Sequence, residues 1–368
     1  MIAVAVSGGV DSLYALMTLK DRGESVMALH GRFRAVAPEE DPVPGLEENC
    51  RRLGVKLVVA DLAAPFHERV VRPFAESYAA GATPNPCALC NARIKFGLLL
   101  DAALEQGADV LATGHYARRA EHPRYGVALA PAADKDKDQS YFLALTPGQR
   151  LARALFPLAG TDKAAVRAGV EARGLVAPLP KESQEICFVP GNEYRRFLEL
   201  AGVRLPGPGP VVYVAGEAGD ARDGAVIGVH QGLWRYTEGQ RRGLGIAWSE
   251  PLYVVGKDVR HNRLLAGPAA ALCQRRCTAG EVNVLVDPAL WPQRLFVRIR
   301  YREKMAPARV GLVDGVDGGR LEICFDSPKS PGAPGQIAVV YDEEGIVLAG
   351  GVILASSLEA DGAAAASA

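Results

Sequence analysis

One short run constrains this chain more than any other. A buried-strand pattern, IAVAV at 2–6, passes straight into Ser7-Gly8-Gly9-Val10-Asp11-Ser12 and then into LYALMTLKDRG, an amphipathic helix pattern that stops at Gly23. Glycines between a strand and a helix let the backbone wrap closely around an anion, and the helix N-terminus turns unpaired N–H groups toward it. The same run opens a βαβ rhythm. SVMALHG predicts a second strand, LEENCRRLG a second helix and VKLVVADL a third strand, followed by a helical stretch from Pro65 to about Gly81. After a Pro-rich loop come the helical pattern NARIKFGLLLDAALEQG and the strand ADVLATG. Strands alternating with helices predict an α/β domain, an open parallel sheet with helices on both faces.

Near residue 200 the texture changes. LPGPGPVVYVAGE carries the Pro/Gly punctuation of a boundary, and short strand patterns follow: VVYV, AVIGV, PLYVVGKD, LFVRIRYR, LEICF, IAVVYD and IVLAGGVIL. These predict an α/β domain over 1–200, a small central β domain over 201–270, a C-terminal β-barrel over 271–356 and a disordered tail, LEADGAAAASA, over 357–368. The chain's 368 residues suit such a division. At 49% hydrophobic and 23% charged residues it has ample core material. No apolar run reaches the ~18 residues a membrane span needs. The opening MIAVAVSGG lacks the basic stretch and cleavage site of a secretion signal, so no membrane association and a cytoplasmic setting are expected.

The loop at 7–12 has hydroxyl donors in Ser7 and Ser12, and Asp11 offers a carboxylate that could hold a magnesium ion against phosphates. The hexapeptide resembles the PP-loop of ATP pyrophosphatases, which cleave ATP between the α- and β-phosphates and leave AMP on a substrate oxygen. It lacks the G-x-x-x-x-G-K-[ST] pattern of phosphoryl-transferring enzymes. A second constellation is Thr83-Pro84-Asn85-Pro86-Cys87-Ala88-Leu89-Cys90-Asn91, where the helical pattern begins around the second cysteine. A thiol at a helix N-terminus has its pKa lowered, and a value of ~7 in place of ~8.5 takes the thiolate from a few per cent to about half at pH 7. C-x-x-C alone suits zinc, a redox pair or a nucleophile, and two cysteines are half of a tetrahedral site. The missing partner could be Cys187, in Ser183-Gln184-Glu185-Ile186-Cys187-Phe188. Seven cysteines at irregular spacing, without a secretion signal, disfavour a disulfide framework. Cys50 and Cys324 fit as buried fillers, and the C-x-x-x-C of Cys273 and Cys277 has no second ligand pair nearby.

With these two motifs in hand, the ordered series SGGVDS, TPNPCALCNARIKFG, ATGHYAR, DKDQSYFL, SQEICFV, YTEGQRRGLGI, VRIRYR and AVVYD resembles that of the tRNA-specific 2-thiouridylases, from residue 7 to about 353. The resemblance implies a PP-loop domain, a small central domain and a C-terminal barrel, and an enzyme that replaces the C2 oxygen of the wobble uridine of tRNA with sulfur. It implies that Cys187 carries the incoming sulfur as a persulfide. Cys90 is then the nucleophile that completes transfer and forms a disulfide with Cys187. ATP would lie against Ala5, Val6, Ser7, Gly8, Gly9, Val10, Asp11 and Ser12, with Gly114 and Gly31 nearby. Asn85, Pro86 and Cys87 would border the target base. His115, Lys137, Asp138, Gln139, Arg300, Tyr301 and Gln336 match positions that touch tRNA. The sulfur donor would be a cysteine desulfurase, acting directly or through relay proteins.

Two departures from the family pattern stand out. Cys87 replaces an Asp assigned elsewhere as a base, and a thiol is a poor substitute for a carboxylate. Conversely, Cys87, Cys90 and Cys187 would supply three thiolates, a number suited to an iron–sulfur cluster with one open iron, the alternative to the persulfide relay. The second departure is Leu29-His30-Gly31-Arg32-Phe33, which differs from the family pattern at the expected adenine contact.

Two rival functions share parts of these motifs. A PP-loop enzyme amidating a small metabolite would need neither the three cysteines nor a basic β module. A non-catalytic RNA-binding protein with a structural metal would leave the PP-loop without a purpose. The aromatics and arginines of WRYTEGQRRGLG resemble a nucleic-acid surface, though a salt-bridged turn would look similar. Overall charge is silent, with 42 Lys and Arg against 42 Asp and Glu. Its distribution is not: basic residues outnumber acidic ones 14 to 6 over 228–310, and acidic outnumber basic 9 to 2 beyond it. The predicted RNA-facing surface is therefore in the central-to-C-terminal stretch.

Overall fold

The β-branched and apolar run at the start of the chain forms β1 (Ile2–Ala5), and its neighbours complete a five-stranded sheet in a computed structural model describing residues 1–179, 186–189, 191, 193–216, 220–315 and 319–355. The expected tail at 357–368, and Ser183, Gln184 and Glu185 of the third motif, lie outside the described residues. The sheet contains β2 (Val26–Arg32), β3 (Leu57–Asp61), β4 (Val110–Ala112) and, further along the chain, a short strand at Ala154–Leu155. Every pairing in it is parallel. The order runs β3-β2-β1-β4 and then Ala154–Leu155. Chain order therefore reverses direction between β1 and β4, and crevices at such switch points are where open α/β sheets bind ligands. The turn at 7–12 leaves β1 there, and Thr113 to His115 leave β4 beside it.

The sequence reading did not anticipate a hairpin that follows β4. Strands β5 (Ala117–His122) and β6 (Gly126–Pro131) pair antiparallel around Gly126, whose φ of +68° fits a residue without a side chain. After Ala154–Leu155 (β7), the central domain forms a four-stranded mixed sheet of β8 (Gly209–Tyr213), β9 (Val226–His230), β10 (Tyr253–Asp258) and β11 (Arg263–Gly267). The C-terminal strands are β12 (Gln274–Val284), β13 (Leu295–Arg298), β14 (Ala306–Val313), β15 (Arg320–Lys329), β16 (Ile337–Tyr341) and β17 (Val347–Ile353). They pair in the order β12-β15-β14-β13-β16-β17, and β12 also pairs with β17, closing an antiparallel six-stranded barrel. Closure leaves the barrel no free edge between its first and last strands. A register shift between Gly280 and Asn283 lets the long strand β12 reach both partners, with Glu281 at φ 47°.

The hairpin does more than decorate the first domain. Through Val347 opposite Leu129 it joins the barrel's sheet. One hydrophobic cluster accordingly runs through both domains, including Ala3, Leu29, Phe96 and Leu111 with Tyr141, Ile337, Val339, Tyr341 and Val347. Tyr141 ties it with a hydroxyl bond of 2.8 Å to the Ile337 carbonyl. The parallel sheet and the barrel thus share a core. Among the described residues, no helix is long and apolar enough to cross a membrane.

Candidate active site

At the sheet's switch point the predicted loop forms an anion cradle. Gly8 has φ +94°, and a Cβ there would stand 2.9 Å from the Pro42 side chain. Ser12 Oγ accepts from the Ser7 N–H at 3.1 Å and donates to the Gly9 carbonyl at 2.9 Å, so the second serine locks the loop's shape. The helix Val10–Asp21 starts at Gly9 without a capping side chain, which leaves its first-turn N–H groups for a ligand. Gly114 approaches from β4: a Cβ on it would lie 2.9 Å from both Asp11 C and Ser12 N. Ala5 ends β1, Val6 is bonded to β2, and Gly31, near the end of β2, faces the Phe33 ring. The nucleotide positions expected from the sequence therefore share one edge of the sheet.

Asp11 departs from its expected role. Lys163 Nζ reaches both of its carboxylate oxygens at 2.7 Å, and the Tyr116 hydroxyl donates to one at 3.0 Å. A carboxylate held by an ammonium in this way does not fit a magnesium ligand, and it instead anchors the helix Lys163–Ala172 to the loop. Sequence reasoning missed Lys163 because 152 residues separate it from Asp11.

The cysteine motif is also placed differently. The helix begins four residues before the expected point, as Pro86–Cys90, with Asn85 as its N-cap accepting from the Ala88 N–H at 3.2 Å. Cys87 therefore lies in the first turn, and Cys90 ends it. A π-helical stretch, Asn91–Leu99, follows. Widened winding of this kind brings residues five apart toward the same side, which carries Lys95 round toward Cys90.

The expected lowering of the thiol pKa is not found. Burial pushes the Cys90 thiol up to about 12, opposed by the Lys95 charge and reinforced by Cys187 and Cys87. Cys87 and Cys187 open to solvent, yet surrounding protein mass raises both, with Lys95 again the opposing charge. The helix is too short, and Cys90 too far from its start, for dipole stabilisation to win over desolvation. Mutual influence of the three thiols and the common action of Lys95 place Cys87, Cys90 and Cys187 in one neighbourhood. Among the described residues, however, no three His, Cys, Asp or Glu side chains are gathered as a metal centre requires. The donor set in this conformation does not fit a cluster.

Lys95 is a functional candidate that the motif contained and the sequence reading passed over. Its ammonium stands 3.3 Å from His115 Nε2, and His115 Nδ1 stands 2.7 Å from Thr113 Oγ1. His115 is 9% exposed, and burial followed by the Lys95 charge holds its pKa well below the usual histidine range. It is a neutral ring accepting from Lys95 and donating to Thr113. The signal available in the sequence was the interval from Cys90 to Lys95, which needed the π-winding to become meaningful.

Of the residues expected at tRNA, several face inward. Asp138 is 6% exposed and accepts from the Ala132 and Ser140 N–H groups and the Ser140 hydroxyl. Gln139 Oε1 accepts from the Tyr116 N–H at 3.1 Å. Lys137 follows the turn closed by Asp134. Tyr301 packs its ring 4.4 Å from Phe142. Arg300 donates to the carbonyls of Glu238 and Pro331, and Gln336 Nε2 donates to those of Thr83 and Pro84 at 2.8 and 3.2 Å. Gln336 thus meets the approach to Asn85, Pro86 and Cys87. The aromatics of WRYTEGQRRGLG do not form a stacking platform: Trp234 and Tyr236 are 4% and 5% exposed and belong to separate cores. Arg241 and Arg242 remain at the surface.

Comparison with known proteins gives the family. Residues 1–191 match the tRNA methyl transferase HUP domain family, 203–268 the tRNA methyl transferase PRC-barrel domain and 274–353 the aminomethyltransferase beta-barrel domain. The chain is 56% identical over 354 residues to a tRNA-specific 2-thiouridylase MnmA of Nitratidesulfovibrio vulgaris, covering 96% of this chain and 98% of that protein. It is 50% identical to the MnmA of Lawsonia intracellularis, over 96% of this chain and 98% of the other. The MnmA of Pelobacter propionicus is 38% identical over 99% of both. With three matching domains in order and relatives similar along nearly their whole length, the chain belongs to the tRNA-specific 2-thiouridylase (MnmA) family.

Proposed function

We propose that the chain catalyses ATP-dependent 2-thiolation of the wobble uridine of tRNA. The observation that carries this is the meeting of two features: a glycine-serine anion cradle at the switch point of a parallel sheet, and three cysteines on segments influenced by one lysine. A uridine carbonyl oxygen is a poor leaving group. The uridine O2 attacks the α-phosphorus of ATP, pyrophosphate departs, and O2 becomes a phosphate ester whose later exit releases AMP. The terminal sulfur of a Cys187 persulfide then attacks C2. Cys90 thiolate attacks the Cys187 sulfur, the S–S bond to the substrate sulfur breaks, and 2-thiouridine leaves with a Cys90–Cys187 disulfide behind it. A thiol reductant restores both cysteines. Magnesium would arrive already bound to the phosphates of ATP, since Lys163 occupies both oxygens of the Asp11 carboxylate.

The protein's own contributions divide by domain. Residues 1–200 bind ATP and carry the thiols; 201–270 and 271–356 present the basic 228–310 stretch to RNA. Lys95 favours the thiolate of Cys90 against a strongly opposing burial. Asn85, Pro86 and Cys87 border the base, and Arg300, Tyr301, Gln336, His115, Lys137, Asp138 and Gln139 form or support the RNA-facing wall. A cysteine desulfurase or a relay protein supplies sulfur, in a cytoplasmic setting that also supplies the reductant. The methyltransferase wording of the matching families is not favoured, because transfer of a methyl group needs neither an ATP-activating loop nor paired thiols.

The test incubates protein, unmodified tRNA, ATP, magnesium and sulfide or a persulfide donor, with nucleosides analysed by mass. 2-Thiouridine and AMP should appear together. Their absence with every donor, aerobic and anaerobic, would overturn the proposal. Cys90→Ser and Cys187→Ser should each abolish product while ATP binding persists.

A further inference from the structure

The segment that delivers the cysteine helix is held by the other two domains. Gly81, with φ +79°, follows the helix Arg72–Ala79 and begins a strap running to Asn85. A buried backbone must satisfy its polar groups, and the strap's partners can be followed almost atom by atom. The Gly81 carbonyl accepts from Lys257 Nζ at 2.6 Å, across from the central domain. The Thr83 N–H donates to the Pro334 carbonyl at 2.7 Å and the Asn85 N–H to the Gly335 carbonyl at 3.1 Å, both on the barrel. The Thr83 and Pro84 carbonyls share Gln336, and the Thr83 hydroxyl pairs with that of Thr237 at 3.3 Å. At the strap's start the Gly81 and Ala82 N–H groups turn back to their own domain, donating to the Tyr78 and Ser77 carbonyls. Pro84 and Pro86 have no N–H to offer.

Behind the strap lies a charged pair with no structural excuse. Lys257 Nζ stands 3.8 Å from Glu238 Oε1, with side-chain exposures of 2% and 5%. The other Glu238 carboxylate oxygen is buried without a hydrogen-bond partner. Burial pushes the Glu238 carboxyl up and the Lys257 ammonium down. A buried pair at this separation, incompletely hydrogen-bonded, is poor stabilisation compared with apolar packing. Arg300 closes the junction by donating to the Glu238 carbonyl from the barrel.

We propose that the Glu238–Lys257 pair is a positioning device for sulfur transfer: it anchors the strap 81–85 from the central domain, while Gln336 and Gly335 hold it from the barrel, so that tRNA engaging those two domains sets the placement of Cys87 and Cys90. This rests on tRNA being the substrate. Because Asn85 is both the strap's end and the N-cap of the cysteine helix, any movement of the barrel or central domain reaches the thiols through one residue. Lys257 and Glu238 are positioning residues; neither touches a reacting atom.

The experiment compares wild type with Lys257→Met, Lys257→Arg and Thr237→Val. It measures the single-turnover thiolation rate at saturating tRNA and ATP, the Kd for tRNA, and the rate of Cys90 alkylation by iodoacetamide with and without tRNA. Lys257→Met should thiolate at least ~10-fold more slowly with tRNA Kd within about twofold, and the tRNA-dependent change in Cys90 alkylation should vanish. Lys257→Arg should restore the rate to within about threefold. Thr237→Val removes one hydroxyl contact without burying a lone charge; it should slow thiolation ~3-fold at unchanged Kd, and it carries the test if Lys257→Met does not fold. Folded variants with wild-type rates, or losses that track tRNA Kd, would overturn the proposal. A wild-type protein making no 2-thiouridine would retire the functional reading, while the alkylation comparison, which needs no turnover, would still decide the strap.

Discussion

Replacing Gly114 by alanine adds one methyl group at the tightest approach in the nucleotide cradle. Its Cβ would lie 2.9 Å from Asp11 C and Ser12 N and 3.1 Å from Asp11 Cβ. Ordinary carbon contacts sit at about 3.5–4.0 Å, so the two backbones must separate by roughly 0.6–1 Å. Two of the three obstructing atoms are main chain, in the first turn of the helix Val10–Asp21, and cannot swing aside as a side chain would. Overpacking of this kind costs about 1–3 kcal/mol. That strain falls on the N–H groups that would hold phosphates, whose misplacement by about 1 Å can cost on the order of 100-fold in rate. Gly114→Ala should raise the Kd for ATP by ~10-fold or more, equivalent to about 1.4 kcal/mol. It should slow thiolation further still and leave the Kd for tRNA unchanged. Gly160→Ala is the control, since nothing lies within 4 Å of a Cβ there. ATP binding and single-turnover thiolation check the result. A Gly114→Ala protein with ATP affinity within twofold of wild type would refute the placement of the nucleotide against Gly114.

Other outcomes follow from the same geometry. With its thiol near pKa 12, Cys90 in the free protein is thiolate in only about one molecule in ten thousand at pH 8. Its alkylation rate should therefore climb about tenfold per pH unit from 7 to 9, slow further in Lys95→Met, and show no plateau; peptide mapping by mass spectrometry would detect a plateau near pH 7 that contradicts this. Cys50 is raised by burial to about 11 from 9, so the folded thiol keeps its proton where the unfolded one loses it. That contribution to stability is complete below pH 9 and is lost as pH rises toward 11, which urea titrations of wild type and Cys50→Ala should separate. Asp138→Ala removes the acceptor of the buried Ala132 and Ser140 N–H groups and should destabilise by about 1–3 kcal/mol in urea unfolding; a change below ~0.5 would argue against the buried network. In the persulfide relay Cys87 carries no sulfur, so Cys87→Ser should keep thiolation within about fivefold, whereas a loss as complete as that of Cys90→Ser would favour a three-thiolate centre. Arg241→Ala with Arg242→Ala should lower the slope of log affinity for tRNA against log salt by up to about 2, measured by filter binding.

The parallel sheet was legible because its cause is local. Each strand-helix alternation and the glycine turn after β1 are written in contiguous residues, and the reversal in strand order then fixes where a ligand can sit. The barrel was partly legible: the patterns for β13, β15, β16 and β17 stood out, whereas β12, β14 and the β5–β6 hairpin were passed over. Alternation in those segments is diluted by charged and small residues, as in QRRCTAGEV and ARRAEH. Pairing between Val347 and Leu129, which merges two domains into one core, has no local signature at all.

The candidate site divides along the same line. Residue types and order along the chain determined the glycine-serine loop after β1, the three cysteines and the three-part architecture, because each motif is short and its chemistry resides in its own side chains. Tertiary structure decided what those side chains can do. It gave Asp11 to Lys163, turned Asp138 and Gln139 inward, withdrew Trp234 and Tyr236 from the surface, and set Gln336 on the strap before Asn85. It also reversed the expected pKa of Cys90, because a thiol's acidity depends on desolvation and on charges brought close by folding rather than on the sequence beside it.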